Sequence, residues 1–212
     1  MKLLIIGATG ATGRELVNQA IAQGHEVTAL VRDAAKAAFA PSVNMAVGDV
    51  LDASSLKKAL TGQEAVISSL GSAASGPFKE MTLLSEGMRN LVAAMKGQGV
   101  NRLICITGVG AGESQGHGPW YYNWLIQPLM LRGVYLDKTR QEEIVRGSGL
   151  DWTLVRPALL TNGAAKGVES VGAFTALAGI KAGTISRADV AAFCLRELAD
   201  GRHRREAPVI TN

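Results

Sequence analysis

The chain has 212 residues, 47% of them hydrophobic and 19% charged, and carries a formal charge of +4. That is enough apolar material for a substantial core, at a length one α/β domain commonly occupies, so a single domain over residues 1–212 is expected. The charge is mild, and its densest basic run, Arg202-His203-Arg204-Arg205, has no aromatic stripe beside it, which argues against a nucleic-acid partner; Cys105 and Cys194 show neither CxxC spacing nor a nearby histidine pair, which argues against a metal or a redox pair.

The chain opens on Leu3-Leu4-Ile5-Ile6, an apolar run that ends at Gly7 and is too short for the core of an export signal. It reads as a first strand. Further strands are expected at 26–31, 43–47, 65–68, 102–107, 152–155 and 208–210, and helices at 11–23, 53–60, 79–97, 135–146 and 187–199. Gly24 and Gly99 stand where helix C-caps belong, and Ser186 precedes Arg187 with Asp189 in the first turn, the pattern of an N-cap. Alternating strands and helices predict an α/β fold: one doubly wound Rossmann-type domain, its sheet mainly parallel, with helices on both faces. The apolar stretch 119–134 is broken by Asn123, Gln127, Pro128 and Arg132 and falls short of the ~20 residues that span a bilayer. A cytoplasmic monomer or homodimer without stable membrane insertion is therefore expected.

Gly7-Ala8-Thr9-Gly10-Ala11-Thr12-Gly13 follows the first strand and opens the first helix, the context in which spaced glycines bind a dinucleotide. Gly7 permits the tight turn, Gly10 lets the backbone approach a pyrophosphate, and Gly13 lets the helix pack closely on the strand. Ala11, Thr12 and Gly13 offer first-turn N–H groups to the anion, and the Thr9 and Thr12 hydroxyls add donors. A mononucleotide P-loop is excluded because Arg14-Glu15 follows Gly13 where Lys-Ser/Thr is required. Beyond the second strand stands Arg32, suited to the 2′-phosphate of NADP(H); Asp33, next in line, is the residue type that would select NAD. Asp49, in Gly48-Asp49-Val50, is placed to accept from the adenine amine or simply to form a turn.

These motifs, with SSLGS at 68–72, SEGMRNLVAAMK at 85–96 and SGLDWTLVRP at 148–157, resemble the atypical short-chain dehydrogenases, most closely the biliverdin-IXβ reductase/flavin reductase group, over essentially the whole chain. The resemblance implies a dinucleotide lying along Leu70 and Gly71, adenine beside Asp49 and Val50, and nicotinamide and its ribose near Thr107, Gly108, Pro157, Ala158 and Leu159. It also implies an NADPH-dependent reductase in which the protein orients the cofactor against a small planar or carbonyl-bearing acceptor. Two positions depart from the wider family. Thr107-Gly108 stands where a catalytic serine is usual, and Tyr135 and Lys138 are three residues apart where the Tyr-Lys pair is usually separated by four. Neighbouring helical faces still let Tyr135 and Lys138 meet, which keeps them candidates for proton transfer.

Of three Trp, three Tyr and four Phe in the chain, Trp120, Tyr121, Tyr122 and Trp124 fall together just after the glycine-rich loop 108–118. Trp120, Tyr121 and Tyr122 are expected to stack on a flat small-molecule substrate, to form one face of an amphipathic helix packed on the domain or on a second subunit, or, as a third alternative, to associate with a membrane surface. A non-enzymatic NADP(H)-binding redox sensor or assembly factor is the alternative function, since folds of this kind retain the nucleotide site after losing catalytic residues.

Overall fold

The computed structural model describes residues 1–71, 81–112, 132–171 and 183–212. Its elements run β1 (Lys2–Ile6), α1 (Ala11–Ala22), β2 (Glu26–Val31), β3 (Asn44–Val47), α2 (Ala53–Leu60), β4 (Ala65–Ser68), α3 (Leu83–Gln98), β5 (Arg102–Ile106), α4 (Arg132–Arg146), β6 (Asp151–Pro157), β7 (Leu159–Thr161), β8 (Glu169–Val171), β9 (Thr184–Ser186), α5 (Arg187–Asp200) and β10 (Val209–Thr211). One sheet has the order β3-β2-β1-β4-β5-β6-β10-β8, parallel throughout except for β8 on β10; β7 and β9 form a separate parallel pair.

The central strand shows why the sheet must be covered on both faces. Leu3 and Ile5 pack with α1 and α5, Leu4 and Ile6 with α2 and α3, and all four are buried. A strand whose successive side chains alternate between faces reads as an unbroken apolar run only when each face meets a helix layer. Each buried leucine or isoleucine contributes about 1.5–3 kcal/mol relative to exposure. The strand order reverses at β1, with β2 on one side and β4 on the other, which opens a crevice above the carboxyl end of β1.

Several boundaries differ from the sequence expectation for local reasons. The third helix begins at Leu83 instead of residue 79: Thr82 has φ −133° and sits outside it, while the Asp137 carboxylate, from α4, accepts from the N–H groups of Leu84 (2.8 Å) and Ser85 (3.1 Å) and fixes its start. The fourth helix starts earlier, at Arg132. The small-residue-rich stretch 158–183 contributes β7 and β8, short strands that its weak periodicity did not reveal. At α5 the expected cap forms, with the Ser186 hydroxyl accepting from the Asp189 N–H at 3.0 Å. Among the described residues no helix is long and apolar enough to cross a membrane.

Candidate dinucleotide cleft

A cleft of about 390 Å³ lies over the carboxyl ends of β1, β2 and β4. Gly7, Thr9, Gly10, Ala11, Thr12 and Gly13 line it, with Arg32 after β2, Asp49 and Val50 after β3, and Leu70 and Gly71 after β4. Eleven positions singled out from sequence therefore meet in one place. Gly7 has φ +76°, and a Cβ there would come within 2.6 Å of the Ser69 carbonyl oxygen; a Cβ on Gly13 would collide with the Gly7 carbonyl. Both glycines are required by backbone meeting backbone. Ser69 fastens the turn from the β4 side, its hydroxyl donating to Ile6 O at 3.0 Å.

The helix starts set this turn apart. Asp52 caps α2, Asp137 satisfies the start of α3, and Ser186 caps α5. Helix α1 has Gly10 at its N-cap, with no side-chain hydrogen bond there and no acidic residue in its first turn. Ala11, Thr12 and Gly13 of its first turn line the cleft, and among the described residues no side chain caps their N–H groups, an arrangement suited to an anion. The glycine cradle, the uncapped helix and Arg32 fit a dinucleotide and its phosphates.

Asp33 is turned away from this task. It lies outside the cleft lining, and its carboxylate accepts from the Ala35 N–H at 3.0 Å, starting the single 3₁₀ turn that follows β2. Asp49 divides its carboxylate: one oxygen accepts from the Leu51 N–H at 2.9 Å, as a turn former would, while the residue still lines the cleft.

The residues expected near the nicotinamide lie beyond the lining of this cleft. Thr107, Gly108, Pro157, Ala158 and Leu159 are absent from the cleft lining. Leu159 is 70% exposed, whereas Leu160, its successor in β7, faces the cleft, as a period of two along a strand requires. Thr107 is buried and donates its hydroxyl to Glu142 Oε1 at 2.7 Å; that carboxylate is paired with Arg156, both side chains being 1% exposed. Lys138 donates from Nζ to the Thr107 carbonyl and lies 5.8 Å from the centre of the Tyr135 ring, so the two α4 residues do meet. Desolvation lowers the Lys138 pKa, with Cys105 and Glu142 acting in the opposite direction. Tyr135 packs on the loop at Gly110, and neither it nor Lys138 lines the cleft.

Trp120, Tyr121 and Tyr122 lie outside the described residues. The cysteines are free and buried; burial first, then Glu142, pushes the Cys105 thiol up to about 12, and burial raises Cys194 further. In the basic run near the C-terminus, Arg202 pairs with Asp200, His203 with Glu197 and Arg204 with Asp151. Sequence reasoning missed Arg187 and Leu160, both of which line the cleft.

A parallel sheet in Rossmann order, with an uncapped glycine turn at its switch point, defines a dinucleotide-binding protein. The chain belongs to the NAD(P)H-binding family, which it matches over residues 7–201. It is 30% identical to the photosystem II assembly factor Ycf39 of Guillardia theta across 99% of this chain, and spans 65% of that relative's length. It is 28% identical to the NAD(P)H azoreductase of Xenophilus azovorans, covering 99% of this chain and 67% of the relative. In fold it is similar to ChuY, an anaerobilin reductase from Escherichia coli O157:H7, with a TM-score of 0.83 and 23% identity over 100% of this chain and 97% of the other.

Proposed function

We propose that this protein is an NADPH-dependent reductase of a small planar or carbonyl-bearing acceptor of the flavin, quinone or tetrapyrrole type. The observation that carries the reading is the cleft, which is lined by the glycine turn at an uncapped helix start and by Arg32 but not Asp33. NADPH supplies the hydride when bound. The chain's own contribution is position: Gly7 and Gly13 hold the turn against β1, the first-turn amides of α1 and the Thr9 and Thr12 hydroxyls receive the phosphates, and Arg32 distinguishes the 2′-phosphate.

On this reading Thr107 acts as an acceptor and spacer, since its proton is committed to Glu142. Gly108 and Ala158 keep the floor beside it low, Pro157 and Leu159 frame it, and Trp120, Tyr121 and Tyr122 provide the stacking wall. Tyr135, beside Lys138, or solvent delivers the proton; activity retained in Tyr135→Phe assigns that step to solvent. The deciding experiment is NADPH oxidation by the purified protein with FMN, biliverdin and a simple quinone in turn, beside NADH and a protein-free control. Turnover of any acceptor, with NADPH preferred, supports the reductase.

A second reading is a non-enzymatic NADP(H) sensor or assembly factor. The committed Thr107 hydroxyl favours it, because no free donor stands where short-chain dehydrogenases place their serine. The likeness to an assembly factor points the same way. Tight NADPH binding without turnover of any acceptor selects this reading.

A further inference from the structure

Among the described residues, two cations line the cleft. Arg32 stands after β2; Arg187 stands at the junction of β9 and α5, and Leu160 of β7 lines the same cleft. The turn Gly7 to Gly13 lines the same cleft, and its nearest cation in sequence, Arg14, is already engaged. Arg14 donates to Thr9 O and Ala38 O, both at 3.2 Å, and lies over the Phe39 ring. Among the described residues, Arg187 therefore holds the cleft-lining positive charge other than Arg32.

Its position contradicts local preference. As the first residue of α5, Arg187 puts a positive charge at the positive end of a helix, an arrangement the helix dipole opposes. Such a breach of a local rule is expected where function needs it. The side chain is also aimed: Nη1 donates to Asn162 Oδ1 at 2.7 Å, and this is its one hydrogen bond among the described residues. Guanidinium carries five N–H donors in a planar fork, so the fixed head presents further donors suited to phosphate oxygens.

We propose that Arg187, steered by Asn162, binds the diphosphate bridge of the dinucleotide, facing the first-turn amides of α1 across the cleft. The proposal rests on the nucleotide reading above and adds a division of labour. Arg32 reads the 2′-phosphate that distinguishes NADPH, while Arg187 reads the diphosphate common to NADPH and NADH.

The test is equilibrium binding of NADPH, NADH and adenosine 2′-monophosphate to the wild type, Arg187→Gln and Arg32→Ala. Arg187→Gln is expected to weaken both dinucleotides by about tenfold or more, the loss of a charged hydrogen bond, and to leave adenosine 2′-monophosphate unchanged. That unchanged binding also establishes that the variant is folded. Arg32→Ala is expected to weaken NADPH and adenosine 2′-monophosphate and to spare NADH, and Arg187→Lys to restore part of the Arg187→Gln loss. Unchanged dinucleotide binding by Arg187→Gln overturns the proposal, as does an equal loss for all three ligands. A wild type that binds none of the three overturns the nucleotide reading itself, and this proposal with it.

Discussion

The two sides of the molecule treat their polar groups in opposite ways. Around the end of β1, the start of α1 has no side-chain acceptor, and Arg187 across the cleft holds one described bond. Around the ends of β5 and β6, Thr107 is tied to Glu142, Glu142 to Arg156, and Lys138 to the Thr107 carbonyl, all in or next to the core. Unsatisfied donors at a surface cleft cost little while water reaches them and become binding groups when an anion arrives; satisfied buried groups rigidify and offer nothing further to a ligand. On the proposed function, the first region would receive phosphate and the second would give shape, as suits a protein that leaves the chemistry to its cofactor.

The largest effect should come from opening the saturated side. Glu142→Ala removes the buried carboxylate that accepts from Thr107 and pairs with Arg156, an expected loss of about 3–5 kcal/mol in urea unfolding. Nucleotide affinity of the molecules that remain folded should change little; an equally large loss of affinity would show that the two regions are not separate. Next, Gly10→Asp converts the open side to the closed type. Gly10 has φ −71° and ψ 164°, which an N-cap aspartate tolerates, although its Cβ would stand 3.3 Å from Gly7 O. The added carboxylate takes the first-turn amides and repels phosphate, so NADPH affinity should fall by on the order of 3 kcal/mol, with thermal stability nearly maintained. Arg32→Ala should remove about 1.5–3 kcal/mol of NADPH affinity and leave NADH nearly unaffected, measured by titration. Equal losses for both cofactors would remove Arg32 as the 2′-phosphate reader.

The same contrast explains what was legible in the sequence. The turn Gly7 to Gly13, Arg32 and Asp49 could be placed because each is fixed by a neighbour a few residues away at the end of an apolar strand. The saturated network could not: Asp137 reaches back to Leu84 and Ser85, Glu142 joins Thr107 to Arg156, and only the fold brings such distant positions together. Asp137 and Glu142 are charged residues of α4, yet both are buried. Leu159 and Leu160 show a different limit, since the choice between them depends on a one-residue register that an apolar pair does not encode. For Arg187 a signal was present: a cation directly after the N-cap serine, where helices favour acidic residues.

Asp189 brings both behaviours within two residues of one helix. Next to the open Arg187, its carboxylate accepts from the N–H groups of Lys166 (3.0 Å) and Gly167 (3.0 Å), the Ser186 hydroxyl (2.7 Å) and the Asn212 amide (2.9 Å). Burial pushes its pKa up, but these hydrogen bonds outweigh it and hold the carboxyl below its ordinary value. A carboxylate whose folded pKa is depressed contributes stability that is full above its unfolded pKa, about 3.9, and is lost as the pH falls through the folded value. Asp189→Asn should therefore lower stability at neutral pH and flatten the acid limb of the unfolding midpoint below about pH 4. Because Asp189 also ties Lys166, Gly167 and Asn212 to the start of α5, the variant should loosen the base of Arg187 and weaken NADPH and NADH by the same small factor. An acid limb as steep as that of the wild type would show that the bonds Asp189 accepts do not hold its charge, and would separate the closed end of the helix from the open one.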